Sequence, residues 1–269
     1  LFVPGVRPER FAKAAASGTD MVCLDLEDAV AVEQKAVARS HVLDYLQRAS
    51  TACELVVRVN STRSRVGLED LLALASAPAL PQLLALPKVE SAAEIEIVRS
   101  VFAERGAPPD IIALVETLRG IELIREIARA PGVAMIGLGT ADLAAEMGVS
   151  MAWAPMQLPR SQLVQAAKAA RVKALDGAWL QLDDAAGLAA ETRQAAALGF
   201  SAKVCLHPRQ IDTVHDSLRP ADTEIELARD IVDAFEASPH GAAQFRGRML
   251  DLPVVEAARR MLADWGAPG

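Results

Sequence analysis

The sequence predicts an α/β protein built as a (β/α)8 TIM barrel with a C-terminal helical extension. Short apolar runs rich in β-branched residues alternate with longer amphipathic stretches, and the alternation recurs about every 25 to 30 residues. Eight such runs fit within the 269 residues, the number that a closed ring of parallel βα units needs.

The strand candidates, in order, are residues 1–4, 21–26, 55–59, 83–86, 111–115, 134–138, 178–182 and 202–206. Between them lie helical patterns, for example 92–104, with Ile95, Val98 and Phe102 at three- and four-residue spacing, and 161–174, with Leu163 and Val164 on one face. Beyond the eighth strand, 223–236 reads as an amphipathic helix, 237–247 as a turn-rich segment and 253–265 as a last helix. The domain reading is therefore a barrel core over 1–220 and, over 221–269, the last barrel helix and an extension reaching a neighbouring subunit's site. The chain starts at Leu1 inside a strand-like run, so a few native residues are expected to precede it.

Composition narrows the function. A formal charge of −7, with no basic cluster longer than the pair Arg259 and Arg260, argues against nucleic acid as a partner. No apolar run approaches the roughly 18 residues of a membrane span, so no membrane partner is expected. Cys23, Cys53 and Cys205 are an odd, widely spaced set beside apolar runs, which fits reduced thiols and a cytoplasmic location. Gly137, Gly139 and Asp142 in GLGTAD resemble a dinucleotide loop only loosely. The third glycine is absent and the turn is the sixth, not the first.

Active sites of this fold class form at the C-terminal ends of the strands. Strand two runs into Asp25, Glu27 and Asp28, strand three into Arg58 and Asn60, strand four into Lys88 and Glu90, and strand five into Glu116. Strand six is followed by Thr140 and Asp142, strand seven by Asp183 and Asp184, and strand eight by His207. Carboxylates without paired cysteines or histidines suit Mg²⁺, or Mn²⁺, rather than zinc. Glu116 and Asp142 are one βα step apart and can share such an ion; alternatively Asp142 caps a helix and Glu116 pairs with Arg119. Arg58, in an otherwise apolar strand, needs an anionic partner: a substrate oxygen, or Glu27 or Asp28. Lys88 raises a Schiff-base aldolase, but Pro87 and Glu90 beside it point to pairing in a surface loop. His207, followed by Pro208, reads as a structural hydrogen-bonding residue, and Lys203 as lying at the face away from the mouth.

The ordered motifs resemble the citrate lyase beta subunit (CitE-like) family of the HpcH/HpaI aldolase superfamily, which includes malyl-CoA and citramalyl-CoA lyases. They are LFVPG at 1–5 with PER at 8–10, DLEDAV at 25–30, VRVN at 57–60, LPKVES at 86–91 and VET at 115–117. GTADLAAEMG at 139–148, LGFSAKVCLHPRQI at 198–211 and GRMLDLP at 247–253 complete the set. Val6 stands where relatives commonly show Asn, and Ser201-Ala202-Lys203 replaces a frequent Gly-x-Lys or Gly-Lys run.

The resemblance implies that Glu116 and Asp142 bind Mg²⁺, that Arg58 holds the oxygen on which charge develops, and that Glu27 and Asp28 support the site. It implies that Asp251 is a carboxyl group placed over a neighbouring subunit's active site, which makes the protein a homo-oligomer, a trimer or hexamer. Arg10 and Lys13 are the matching candidates for contacts to the CoA phosphates. The implied reaction is cleavage of a 3-hydroxyacyl-CoA to a 2-oxo acid and an acyl-CoA, or the reverse condensation. The alternatives are a metal-dependent aldolase on free hydroxy-oxo acids, or a citrate lyase complex subunit acting on a carrier-bound thioester.

Overall fold

Side chains along a strand alternate between the two faces of a sheet, and the apolar residues of this chain are divided accordingly. The computed structural model describes residues 1–106, 108–237 and 243–266. Eight strands, β1 (Phe2–Pro4), β2 (Met21–Asp25), β3 (Glu54–Arg58), β4 (Leu83–Leu86), β5 (Asp110–Val115), β6 (Val133–Leu138), β7 (Lys173–Asp176) and β8 (Ala202–Lys203), form one curled sheet in chain order. Every neighbouring pair among them is parallel.

Helices α1 (Phe11–Ala15), α2 (Lys35–Arg48), α3 (Arg65–Ser76), α4 (Ala92–Val101), α5 (Leu118–Glu122), α6 (Ile124–Arg129), α7 (Thr140–Met147), α8 (Trp153–Ala170) and α9 (Ala185–Leu198) connect them. One strand face, with Leu24, Val57, Leu84, Ala113 and Ile136, packs in the large core with helix residues such as Val42, Leu71, Ile95, Ile127 and Leu163. The other face, with Cys23, Val56, Ala85, Ile112, Leu114 and Met135, forms a smaller core of its own. By the same alternation Asp25 continues the Cys23 row and Arg58 the Val56 row, so the small core ends in charged residues. The starts of α3, α5 and α9 carry side-chain caps, each worth about 1 kcal/mol: Ser64, Thr117 and Asp184 accept from Gly67, Gly120 and Gly187 N–H at 3.0, 3.0 and 2.8 Å.

The seventh strand departs from the sequence reading. It occupies Lys173–Asp176, overlapping the last two residues of the stretch read as helix, while 178–182 is loop. Asp183 and Asp184 consequently follow a loop rather than a strand end, with Asp184 capping α9. The eighth strand is only two residues long, and Lys203 closes it opposite Asp176, the last residue of β7. Lys203 is therefore level with a C-terminal strand end and not at the opposite face.

Behind β7 and β8 lies a buried ionic quartet. Lys203 Nζ donates to Asp176 Oδ2 at 2.6 Å and to Glu191 Oε1 at 2.8 Å. Arg160 Nε donates to Asp176 Oδ1 at 2.8 Å, and its Nη2 lies 3.3 Å from Glu191 Oε2. Two cations and two carboxylates neutralise one another in a place where an unpaired charge is costly. The three cysteines are free and buried, and burial pushes the Cys23 thiol up to about 12.

The chain divides into two compact units, Leu1–Val214 and His215–Gly269, with the break inside α10 (Ile211–Leu218). In the second unit α11 (Asp222–Glu236) and α12 (Leu252–Trp265) pack on one another, with Ile225, Ala228, Val255 and Ala258 buried. Part of the segment read as turns is a strand: β9 (Ala243–Phe245) pairs antiparallel with β10 (Arg248–Leu250). The Arg246-Gly247 turn between them has both residues at positive φ, 46° and 79°, the geometry of a tight hairpin. Residues 238–242 of that segment lie outside the described residues. Among the described residues no helix is long and apolar enough to cross a membrane.

Candidate active site

Arg58 ends β3 beside Asp25, which ends β2, because the two residues are register partners. The guanidinium grips Asp25 with both arms, Nε to Oδ1 and Nη2 to Oδ2, each 2.7 Å. Its Nη1 lies 2.9 Å from Glu27 Oε2, without the alignment of a hydrogen bond. Asp25 also accepts from the backbone N–H groups of Glu27 and Ala29 at 2.9 and 3.3 Å. Arg58 thus finds its anion in Asp25, a partner the sequence reading did not name, and in Glu27, which it did. Burial works against the Arg58 charge, but the Asp25 contacts outweigh it and keep the group firmly protonated.

Lys88 is the residue the sequence reading undervalued. Its ammonium lies 2.8 Å from Glu27 Oε1, 3.0 Å from Asp142 Oδ2, 3.4 Å from Asp28 Oδ2 and 3.9 Å from Glu116 Oε2. It therefore joins the loop after β2 to the ends of β5 and β6. The expected pairing with Glu90 does not form; Glu90 pairs with Arg63. The Lys88 backbone has φ 51°, a left-handed conformation uncommon outside glycine. Arg63 Nη2 holds the Lys88 carbonyl at 2.9 Å. Burial would lower the Lys88 pKa, yet hydrogen bonds to Glu27 and Asp142 raise it on balance.

Glu116 follows β5, and Asp142 sits in the first turn of α7. Neither takes the structural role available to it. Asp142 makes no capping hydrogen bond, and Arg119 pairs with Glu122 instead of Glu116. Burial first, then the hydrogen bond with Asp142, raises the Glu116 carboxyl well above the usual range. For Asp142 burial acts the same way, but Glu116 and Lys88 hold its carboxyl below the ordinary value. Glycine makes room for this pair: a Cβ on Gly139 would lie 2.6 Å from Glu116 Cδ, and closer to Cγ. The neighbouring Gly137 would meet Leu114 Cδ2 at 2.8 Å. Both glycines of GLGTAD are thus accounted for by packing, without a dinucleotide.

Asp25, Glu27, Asp28, Glu116 and Asp142 are joined by Arg58 and Lys88, and the Lys35 ammonium, held on the Leu26 and Glu27 carbonyls at 2.8 and 2.6 Å, stands at the edge of the cluster. Among the described residues no group of three His, Cys, Asp or Glu is arranged to hold a metal alone. Mg²⁺ commonly uses one or two carboxylates and completes its shell with water and substrate oxygens, so Glu116 and Asp142 fit that donor set.

The remaining sequence candidates stand elsewhere. His207 Nδ1 accepts from Arg209 N–H at 3.1 Å, a turn-forming role in line with the structural reading. Arg10 and Lys13 are exposed on the first turn and α1. Asp251, in the second unit, precedes α12; its carbonyl accepts from Val254 and Val255, while its exposed carboxylate caps nothing.

Sequentially wound parallel strands with a carboxylate-rich ionic cluster at their C-terminal ends define an α/β protein with an enzyme-like site. The HpcH/HpaI aldolase/citrate lyase model matches residues 1–208, and the chain belongs to that family. It is 40% identical over 270 residues to a citrate lyase subunit beta-like protein of Mycobacterium tuberculosis, covering 97% of this chain and 93% of the relative. It is 31% identical over 280 residues to human mitochondrial citramalyl-CoA lyase, covering 96% and 82%. An L-malyl-CoA/beta-methylmalyl-CoA lyase of Cereibacter sphaeroides is 30% identical over 290 residues, with 96% and 91% covered. Among solved structures, the protein CitE of Mycobacterium tuberculosis, in complex with magnesium, acetoacetate and coenzyme A, superposes with a TM-score of 0.84. That match has 39% identity and covers 99% of this chain and 97% of the other.

Proposed function

We propose that this chain is a Mg²⁺-dependent carbon–carbon lyase that cleaves a 3-hydroxyacyl-CoA of the malyl-CoA or citramalyl-CoA type to a 2-oxo acid and an acyl-CoA, or runs the reverse condensation. The observation that carries the reading is the Glu116–Asp142 pair beside Arg58 and Lys88 at the strand ends, in a chain whose relatives are named CoA-ester lyases.

Glu116 and Asp142 would hold the metal ion, Mn²⁺ being an acceptable substitute. When bound, it supplies Lewis acidity toward the hydroxyl and carboxylate oxygens of the substrate. Arg58, fixed by Asp25, keeps N–H groups beyond those spent on Asp25 and presents them to the oxygen that becomes the keto group. Glu27 and Asp28 hold Lys88 and bear on the thioester side. The substrate hydroxyl would pass its proton to a solvent water, the carbon–carbon bond break, and its electron pair go to the thioester as an enolate. Asp251 of a neighbouring subunit protonates the enolate carbon, or removes that proton in the condensation. Arg10 and Lys13 meet the CoA phosphates.

The reading includes a closed (β/α)8 barrel, supported by the Phe2 N–H to Cys205 carbonyl bond of 2.9 Å that links β1 to the segment after β8. It also includes a homo-oligomer, a trimer or hexamer, since Asp251 serves another copy, and a cytoplasmic location suited to three free buried thiols. The test is to offer malyl-CoA, citramalyl-CoA and hydroxymethylglutaryl-CoA to the purified protein with and without Mg²⁺, measuring the released oxo acid and acyl-CoA. Mg²⁺-dependent cleavage of malyl-CoA or citramalyl-CoA to a 2-oxo acid supports the proposal, whereas cleavage of hydroxymethylglutaryl-CoA alone, which releases a 3-oxo acid, corrects the substrate class while keeping the lyase. Silence with all three, in a folded protein, moves the assignment to a free-acid aldolase or a carrier-dependent subunit.

A further inference from the structure

We propose that Lys88 competes with the divalent cation for Asp142, so that cation binding releases the Lys88 ammonium from Asp142 onto Glu27 and Asp28. This rests on the reading that Glu116 and Asp142 take the cation. The ammonium stands 3.0 Å from Asp142 Oδ2 and 3.9 Å from Glu116 Oε2, on the same two carboxylates that would take the cation. A dication and an ammonium cannot share one carboxylate oxygen at contact distance without strong repulsion.

The retreat is already built. Lys88 has a second anchor at Glu27 Oε1, 2.8 Å away, and a third at Asp28 Oδ2, 3.4 Å away. Its backbone is fixed in the left-handed conformation, φ 51°, with Arg63 Nη2 on its carbonyl at 2.9 Å, so the movement is left to the side chain. Asp28 is exposed and Glu27 is buried against Arg58, so the displaced ammonium swings from the metal side of the mouth toward the β2 loop. Lys88 is thus a positioning residue for the carboxylates and sets how tightly the site takes its cation.

Titration calorimetry of the full chain with MgCl₂ tests this without any turnover. Lys88→Met removes the competitor and is expected to tighten Mg²⁺ binding by about tenfold, the scale of one charge's repulsion of a dication a few ångströms away. Lys88→Gln repeats the test with a neutral polar side chain. Lys88→Arg, which keeps the charge, should stay within about threefold of the parent. Circular dichroism verifies folding of each variant. Unchanged or weaker binding by both neutral variants overturns the competition while leaving the metal assignment intact. Absence of Mg²⁺ binding by the parent and all three variants overturns the metal assignment and the competition with it.

Discussion

Replacing Arg58 by lysine separates charge from geometry at the residue that most directly couples fold to chemistry. Arg58 makes two bonds of 2.7 Å to Asp25, which is 1% exposed. Lysine keeps the positive charge but has no planar fork, so it cannot reproduce both bonds. Losing one charge-assisted hydrogen bond to a buried carboxylate costs about 1.5–3 kcal/mol. Asp25 retains its two backbone donors, which places the expected loss of stability near the middle, about 2 kcal/mol. The expected consequence for turnover is larger, because under the proposed function the same grip orients the donors offered to the keto oxygen. Loss of one preorganised donor of this kind lowers kcat about 10²- to 10³-fold. Urea unfolding followed by circular dichroism reads the first effect, and oxo acid release from the CoA ester reads the second. An Arg58→Lys protein with kcat within about threefold of the parent refutes the role given to the fork.

Three further outcomes follow from other parts of the molecule. Gly139→Ala places a methyl group 2.6 Å from Glu116 Cδ, so the carboxylate must move; Mg²⁺ affinity measured by calorimetry is expected to fall at least about tenfold while secondary structure persists. Asp176→Asn leaves Arg160 and Lys203 buried with Glu191 as their one remaining carboxylate partner among the described residues. A loss of about 3–5 kcal/mol in urea unfolding is expected, and a loss under about 1 kcal/mol contradicts the quartet's role. Asp251→Asn should abolish proton transfer at the acyl carbon, read as lost exchange of acetyl-CoA methyl protons in deuterated buffer, with Mg²⁺ affinity unchanged.

Much of the fold was legible in the sequence because β2, β4, β5 and β6 each hold four or more apolar residues in a row, and the alternation of these strands survives in the two cores. The seventh failed for a physical reason. Lys173–Asp176 has only two apolar residues between charged ends, and α8 stops at Arg171, a left-handed cap with φ 60° that carries no glycine to mark it. The mostly apolar residues 178–182 mimic a strand, yet the Trp179 carbonyl there accepts from Gln210 across a loop. At the site, Glu116, Asp142 and Arg58 were readable from their places at strand ends. The contacts of Lys88 were not, since they depend on an uncommon φ and on carboxylates that follow three different strands, and spacing records neither. The Asp25 grip on Arg58 is a register effect of the same kind.

The central claim is that Glu116 and Asp142 carry metal-dependent carbon–carbon cleavage, and the most direct test is turnover of the cleaved CoA ester by Glu116→Gln and Asp142→Asn beside the parent at saturating Mg²⁺. These substitutions keep size and remove charge. The account predicts that each lowers cleavage by at least about 10³-fold and weakens Mg²⁺ binding, with folding retained. Cleavage near the parent rate by either variant contradicts it.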